Sequence, residues 1–311
     1  MTTAFYSHPD CRLHDMGRGH PECAQRLDAI DDFLLANRIG DVLDRREAPL
    51  VDLRDLALAH SSGYVAELED LLRQVSESGE ARAIDPDTVA GVNTWSAVLR
   101  AAGAAVAATD AVIDGTAANA FCSVRPPGHH ATRDAAMGFC FFNNVAVAAR
   151  HALDVRGLER VAIVDFDVHH GNGTEDIVAG DERVLMVSIF QHPLYPYCGG
   201  VPKGTNMVNL PVPAYTRGAE IRALIEANWM PRLEAFAPQM IFISAGFDAH
   251  RDDELGQLGL VEADYEWITQ QVKVVADRHA QGRIVSCLEG GYNLRALARS
   301  VAVHLRVLAG V

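Results

Sequence analysis

Short apolar, β-branched runs alternate with long Ala/Leu-rich stretches along this chain, and that alternation leaves few folds open. The runs Ala120–Val124, Arg160–Asp165, Val184–Ile189, Met240–Ala245 and Arg283–Leu288 are continuously hydrophobic, as strands covered on both faces must be. Thr94–Ile113, Asn143–Leu153, Gly218–Ala235, Asp264–Arg278 and Leu294–Val307 have the composition of helices. The pattern predicts an α/β architecture: one open, mostly parallel sheet with right-handed crossovers, flanked by helices. No linker, repeat or low-complexity tract interrupts it, so residues 1–311 are expected to form a single domain. The N-terminal portion has helix patterns near Pro21–Leu35 and Ser62–Val75 and no strand signal after Phe5–Tyr6. It is expected to pack as an outer layer.

Composition narrows the function classes. A hydrophobic content of 49% supports a substantial core. The formal charge of −14 argues against nucleic-acid binding and favours cationic partners. No run of roughly 18 apolar residues stands out as a membrane span, and the N-terminus lacks a signal-peptide pattern, so a soluble, cytoplasmic chain is expected. The six cysteines form no CxxC pair and are expected to be reduced and buried. Cys11 and Cys23 share a stretch with His8, His14 and His20, but the spacing fits no zinc module. A homo-oligomer is compatible with the sequence, which does not fix the oligomeric state.

The polar residues of interest all follow strands. His129 and His130 follow Ala120–Val124, Asp165–His170 end and follow Arg160–Val164, Asp248 follows Met240–Ala245, and Tyr292 follows Arg283–Leu288. Open parallel sheets bind ligands beyond the carboxyl ends of their strands. Four segments therefore deliver chemistry to one edge.

The richest segment is Asp165-Phe-Asp167-Val-His169-His170-Gly-Asn172-Gly. Two acids and two histidines beside a buried strand are costly to desolvate unless a cation or hydrogen bonds compensate. Period-two alternation puts Asp167 and His169 on one side, and Asp248 can complete a His/carboxylate set that leaves a coordination position open. The plainer alternative is a strand end capped by ordinary hydrogen-bonded acids. In Arg125-Pro-Pro-Gly-His129-His130, a stiff turn holds adjacent imidazoles whose pKa values can diverge into acid and base roles. A lone histidine is more often structural, and this pair gains weight only from its place at the same edge. In Glu289-Gly290-Gly291-Tyr292 the glycines allow close backbone approach and the phenol can donate to an oxyanion. Taken alone, that segment reads better as a glycine turn carrying a surface tyrosine, and only the three segments together reverse that.

The motifs RPPGHHA, GFCFFNNVAVAA, DFDVHHGNGT, GFDAH and LEGGYN, in this order across nearly the whole chain, closely resemble the zinc-dependent histone deacetylase family, especially class II and its bacterial amidohydrolase relatives. Gly19-His-Pro-Glu22 with Gln25-Arg26-Leu27 is similar to the class II N-terminal signature. The resemblance implies an arginase/deacetylase-like fold, with Asp167, His169 and Asp248 binding one catalytic zinc. It implies His130 as general base and acid, His129 as its electrostatic partner, Tyr292 as the group polarising the carbonyl, and Asp165 and Asn172 as the partners of His129 and His130. Because an amide supports imidazolium less well than a carboxylate, His130 is expected to have the lower pKa of the pair. The resemblance also implies potassium near Asp165, Asp167, His169, Ser188 and Ile189. Gly138, Phe139, Tyr195, Leu255, Gly290 and Gly291 are implied to contact substrate. The stretch Phe190–Lys203 departs from the family pattern.

Three rivals remain. A binuclear ureohydrolase would need an Asp where Gly171 stands; a non-catalytic acyl-lysine binding protein would need the pocket but not Tyr292 and both histidines; a structural metalloprotein would use a closed, usually cysteine-containing ligand set. The motifs do not separate an acetylated lysine from an acetylpolyamine or another small acylated amine.

Overall fold

The computed structural model describes residues 2–311. In chain order its strands are β1 (Thr3–Ser7), β2 (Leu43–Glu47), β3 (Arg82–Ala83), β4 (Val89–Ala90), β5 (Asn119–Cys122), β6 (Val161–Asp165), β7 (Val184–Gln191), β8 (Met207–Val212), β9 (Met240–Ala245) and β10 (Ile284–Leu288). β3 and β4 form a small antiparallel ribbon. The other eight build one sheet in the order β2-β1-β5-β10-β9-β6-β7-β8, with every pairing parallel.

The four strands expected to carry chemistry, β5, β10, β9 and β6, are thus neighbours at the centre of the sheet. Their register aligns their ends: Cys122 lies opposite Cys287, Cys287 opposite Ser244, and Ser244 opposite Asp165. Every residue of these strands is buried, which is why they read as unbroken apolar runs. Loops leaving them start from one level.

The N-terminal portion differs from expectation. It contributes β1 and β2 to the sheet rather than only an outer layer, since β1 pairs with both β2 and β5. β2, of sequence Leu-Asp-Arg-Arg-Glu, lies at the edge, where half its side chains meet solvent and no apolar run is required. The opposite edge strand, β8, contains Pro211, a residue tolerated at an edge.

The expected helices form at Gln25–Ala36, Ser62–Ser78, Thr94–Ile113, Gly218–Phe236, Glu262–His279 and Leu294–Ala309. Asn143 caps a shorter helix, Asn144–Arg150, which continues as a wider turn over His151–Val155. Contrary to the sequence reading, Thr94–Ile113 is long and apolar enough to cross a membrane by length and composition. Here it is mostly buried, packing against β5 and the Asn144–Arg150 helix. Four cysteines are buried as expected, but Cys23 is half-buried and Cys198 exposed; none is paired in a disulfide.

Candidate active site

The segment after β6 folds on its own carboxylates. Asp167 N–H donates to Asp165 Oδ1 (3.1 Å) and His169 N–H donates to Asp167 Oδ1 (2.9 Å), tight turns that aim Asp167 and His169 inward. From the loop after β9, Asp248 Oδ1 accepts from Val168 N–H (2.9 Å), tying the two loops together. From the loop after β10, Gly290 N–H donates to Asp167 Oδ2 (2.8 Å). A Cβ at Gly290 would strike the carboxylates of both Asp248 and Asp167, so only glycine lets this backbone approach so closely.

Asp167, His169 and Asp248 therefore converge, each offering a ligand atom within 4.8 Å of the others. His169 Nδ1 lies 3.0 Å from Asp167 Oδ1 and 3.2 Å from Asp248 Oδ2. Asp248 Oδ2 is fully buried yet accepts no hydrogen bond. An orphaned carboxylate oxygen among two further ligand-type groups fits a cation, and the His/carboxylate donor set with a position to spare suits catalytic zinc. Burial opposes charging of His169, but the neighbouring carboxylates of Asp167 and Asp248 push it up to about 10. Burial and the charge of Asp167 push Asp248 up to about 7. Burial also opposes ionisation of Asp167, but His129 and His169 outweigh it and hold this carboxyl ionised. A divalent cation competes with these protons, so metal affinity here falls with falling pH.

Among the described residues no other trio of histidine, cysteine and acid converges in this way. Among the described residues, none from the His-rich N-terminal stretch joins such a group.

The two histidines meet different partners. His129 Nδ1 meets Asp165 Oδ2 (3.1 Å) and His130 Nδ1 meets Asn172 Oδ1 (2.8 Å), with the rings 4.0 Å apart. Burial disfavours the charged form of both. For His129 the carboxylates of Asp167 and Asp165 outweigh burial and push it up to about 10. For His130, burial and the neighbouring charges of His129 and His169 drive it well below the usual histidine range. The expected order holds, but its main cause is burial and like charge rather than the weaker partner. Because Asn172 Oδ1 is an acceptor, His130 carries its proton on Nδ1, leaving Nε2 as the free base.

A cavity of about 240 Å³ opens over these groups, its wall including His129, His130, His169, Gly290 and Tyr292. Gly138, Phe139, Tyr195 and Leu255 also line it. At Gly138 (φ +56°) a Cβ would sit 2.5 Å from His130 Cδ2, so the wall closes directly on the base. Phe139 meets Tyr292 edge to face at 5.9 Å, and Tyr195 meets His130 likewise at 5.1 Å. Gly291 is a correction: it is not on the wall, because it faces Leu297 and Phe247 while its carbonyl accepts from Arg26 Nε (2.7 Å). Ser188 lies opposite Asp165 on β7, and its Oγ is buried without a partner; Ile189 follows it, also buried.

Sequence reasoning missed the supports. Glu289 is buried and accepts from Gly128 N–H (2.7 Å), His129 N–H (3.1 Å) and Ser244 Oγ (3.1 Å), fixing the histidine loop to β9 and β10. Glu22, fully buried, pairs with both Arg26 and Arg125. Arg26 also donates to the Glu289 carbonyl, and its guanidinium lies 5.0 Å from the Tyr292 ring centroid. Asp253 Oδ2 accepts from Tyr292 N–H (2.6 Å) and Asn293 N–H (2.9 Å). Asp87 lies on the cavity wall. The N-terminal Gly19–Leu27 signature was the available signal for Glu22 and Arg26, and Arg125 and Glu289 sit inside the motifs RPPGHHA and LEGGYN; nothing in the sequence marks Asp253 or Asp87.

A model of the histone deacetylase domain matches residues 20–308. The chain is 38% identical to histone deacetylase 14, chloroplastic, of Arabidopsis thaliana, over 94% of this chain and 73% of that protein. It is 34% identical to the polyamine deacetylase HDAC10 of Mus musculus, over 99% of this chain and 46% of that protein. The crystal structure of the HDA15 HD domain matches it with a TM-score of 0.92 at 32% identity, covering 99% of this chain and 88% of that one. The chain belongs to the histone deacetylase family.

Proposed function

We propose that this chain is a zinc-dependent deacetylase that hydrolyses the amide of an acetylated lysine. The observation that carries the reading is the orphaned Asp248 Oδ2, turned among Asp167 and His169 at the base of a cavity that also holds His129, His130 and Tyr292. Asp167, His169 and Asp248 would hold the zinc, which when bound would supply Lewis-acid polarisation of the acyl carbonyl and a lowered pKa for water. His130 Nε2, neutral and facing the cavity, takes the proton of that water as it attacks. The Tyr292 hydroxyl donates to the oxygen on which charge develops. His129, protonated and seated on Asp165, places a positive charge beside the developing negative one. His130 then returns its proton to the leaving amine.

The narrow, partly aromatic cavity suits one unbranched aliphatic stem. An acetylpolyamine presents the same stem, and similarity to a relative named polyamine deacetylase makes it the second reading. Potassium is proposed beside Asp165, Ser188 and Ile189, where the unpartnered Ser188 Oγ offers a donor atom. The chain is also proposed to work as a soluble, cytoplasmic protein that binds no nucleic acid.

The test is turnover of acetyl-lysine peptides, acetylputrescine and acetylspermidine by zinc-loaded protein, with a chelator control. Chelator-sensitive cleavage led by the peptides is expected. Binding of all three without cleavage would favour the non-catalytic acyl-lysine binder instead.

A further inference from the structure

A second groove lies next to the mouth of the active-site cavity. Leu255 lines the cavity, whereas Gly256, Gln257 and Gly259, just along the chain, line a groove of about 550 Å³ with Tyr215, Arg217 and Arg251. In a chain of net charge −14, its two guanidiniums share a groove whose lining residues include no acid. Arg12, Arg26, Arg125, Arg150 and Arg183 are all held in ion pairs by carboxylates. The Arg217 guanidinium has no carboxylate partner among the described residues. Arg251, with its side chain 67% exposed, has only its chain neighbour Asp252 at 3.7 Å, and Asp252 also faces Arg299 at 3.5 Å.

The other nearby acids are engaged elsewhere. Glu220 Oε2 accepts from the Arg217 N–H at 3.1 Å, and Asp264 is taken by Arg222 at 2.6 Å.

The groove is also held in shape. Tyr215 is 74% exposed and keeps a left-handed backbone (φ +69°), a conformation unfavourable for an aromatic residue, with its N–H on the Gln257 carbonyl at 2.7 Å. Gln257 is in turn fixed by Gln191, whose Oε1 accepts from Gln257 N–H (2.8 Å) and whose Nε2 donates to Gln257 Oε1 (3.1 Å). Arg217 pairs with Gly259 as an isolated bridge, which sets its backbone against the Gly256–Gly259 segment. One unpaired guanidinium, a second with only a long contact to Asp252, and a flat ring on a rigid floor match a carboxylate carried on a peptide.

We propose that this groove reads acidic side chains flanking the acetylated lysine of a peptide substrate, so that the enzyme selects acidic sequences around its target. The inference rests on the deacetylase reading above, and its test is a binding measurement that does not depend on turnover. Fluorescein-labelled acetyl-lysine peptides differing only in flanking glutamates or glutamines are titrated with the wild-type chain at low salt. The glutamate peptide is expected to bind about five- to tenfold more tightly, a gap that closes at high salt and in Arg217→Gln/Arg251→Gln. Arg217→Glu/Arg251→Glu is expected to turn the preference toward lysine-flanked peptides, a reversal that lost structure alone does not produce. Equal binding of the two peptides by wild type, or a gap that survives in the glutamine variant, would overturn the proposal. An intact binding gap without amide cleavage would count against the deacetylase reading and leave the groove assignment standing.

Discussion

His129 and His130 are consecutive residues with rings 4.0 Å apart, yet their surroundings push their pKa values in opposite directions. One faces the carboxylate of Asp165 and the other the amide of Asn172. A fixed positive charge beside a neutral base is what proton transfer to and from an amide requires near neutral pH.

Asn172→Asp tests that division. A carboxylate at His130 Nδ1 favours its imidazolium, so its pKa rises and the base is protonated at higher pH. The acidic limb of the kcat/KM profile should move to higher pH than in wild type. An unmoved limb would remove His130 from the role of base.

Tyr292→Phe removes one donor to the oxyanion and leaves the ring between Phe139 and Arg26 in place. A fall in kcat of about 10²- to 10³-fold, roughly 3–4 kcal/mol, is expected with little change in KM. Steady-state kinetics on a peptide substrate read this directly.

Glu22→Gln leaves the buried guanidiniums of Arg26 and Arg125 without their shared carboxylate. Breaking a buried pair in this way costs about 3–5 kcal/mol. Because Arg26 donates to the carbonyls of Glu289 and Gly291, kcat should fall as well. Chemical denaturation with kinetics on the folded fraction checks both effects.

His304 is fully buried, between Thr269 Oγ1 (2.8 Å) and Ser286 Oγ (3.0 Å), and burial pushes its pKa down to about 3. The unfolded chain takes up this proton near pH 6.5 and the folded chain does not, so stability is lost as pH falls below 6.5. Between pH 7 and 5 the wild type should lose about 2 kcal/mol relative to His304→Gln, which does not titrate. Urea unfolding of both proteins at the two pH values measures the difference, and a constant gap would contradict it.

The centre of the fold was legible because β5, β6, β9 and β10 are buried on both faces and must read as apolar runs, with polar residues gathered where those runs stop. The edges were not. β2 needs no apolar run, and β8 carries a proline that a central strand could not hold. The residues proposed to meet the cation and substrate could be singled out because their chemistry is concentrated in short motifs. The supports could not: Glu289 and Arg125 are single charges whose burial depends on contacts more than 100 residues away. Gly291 was misplaced because a paired glycine does not reveal which of its members faces the cavity.

The most direct test of the central claim is acetate release by chelator-stripped protein as Zn²⁺ is returned stepwise. Release is expected to be absent from the stripped protein, to rise to a plateau at one equivalent per chain, and to stay absent in Asp248→Ala. Undiminished release from stripped protein, or full restoration of Asp248→Ala by one equivalent, would contradict the account.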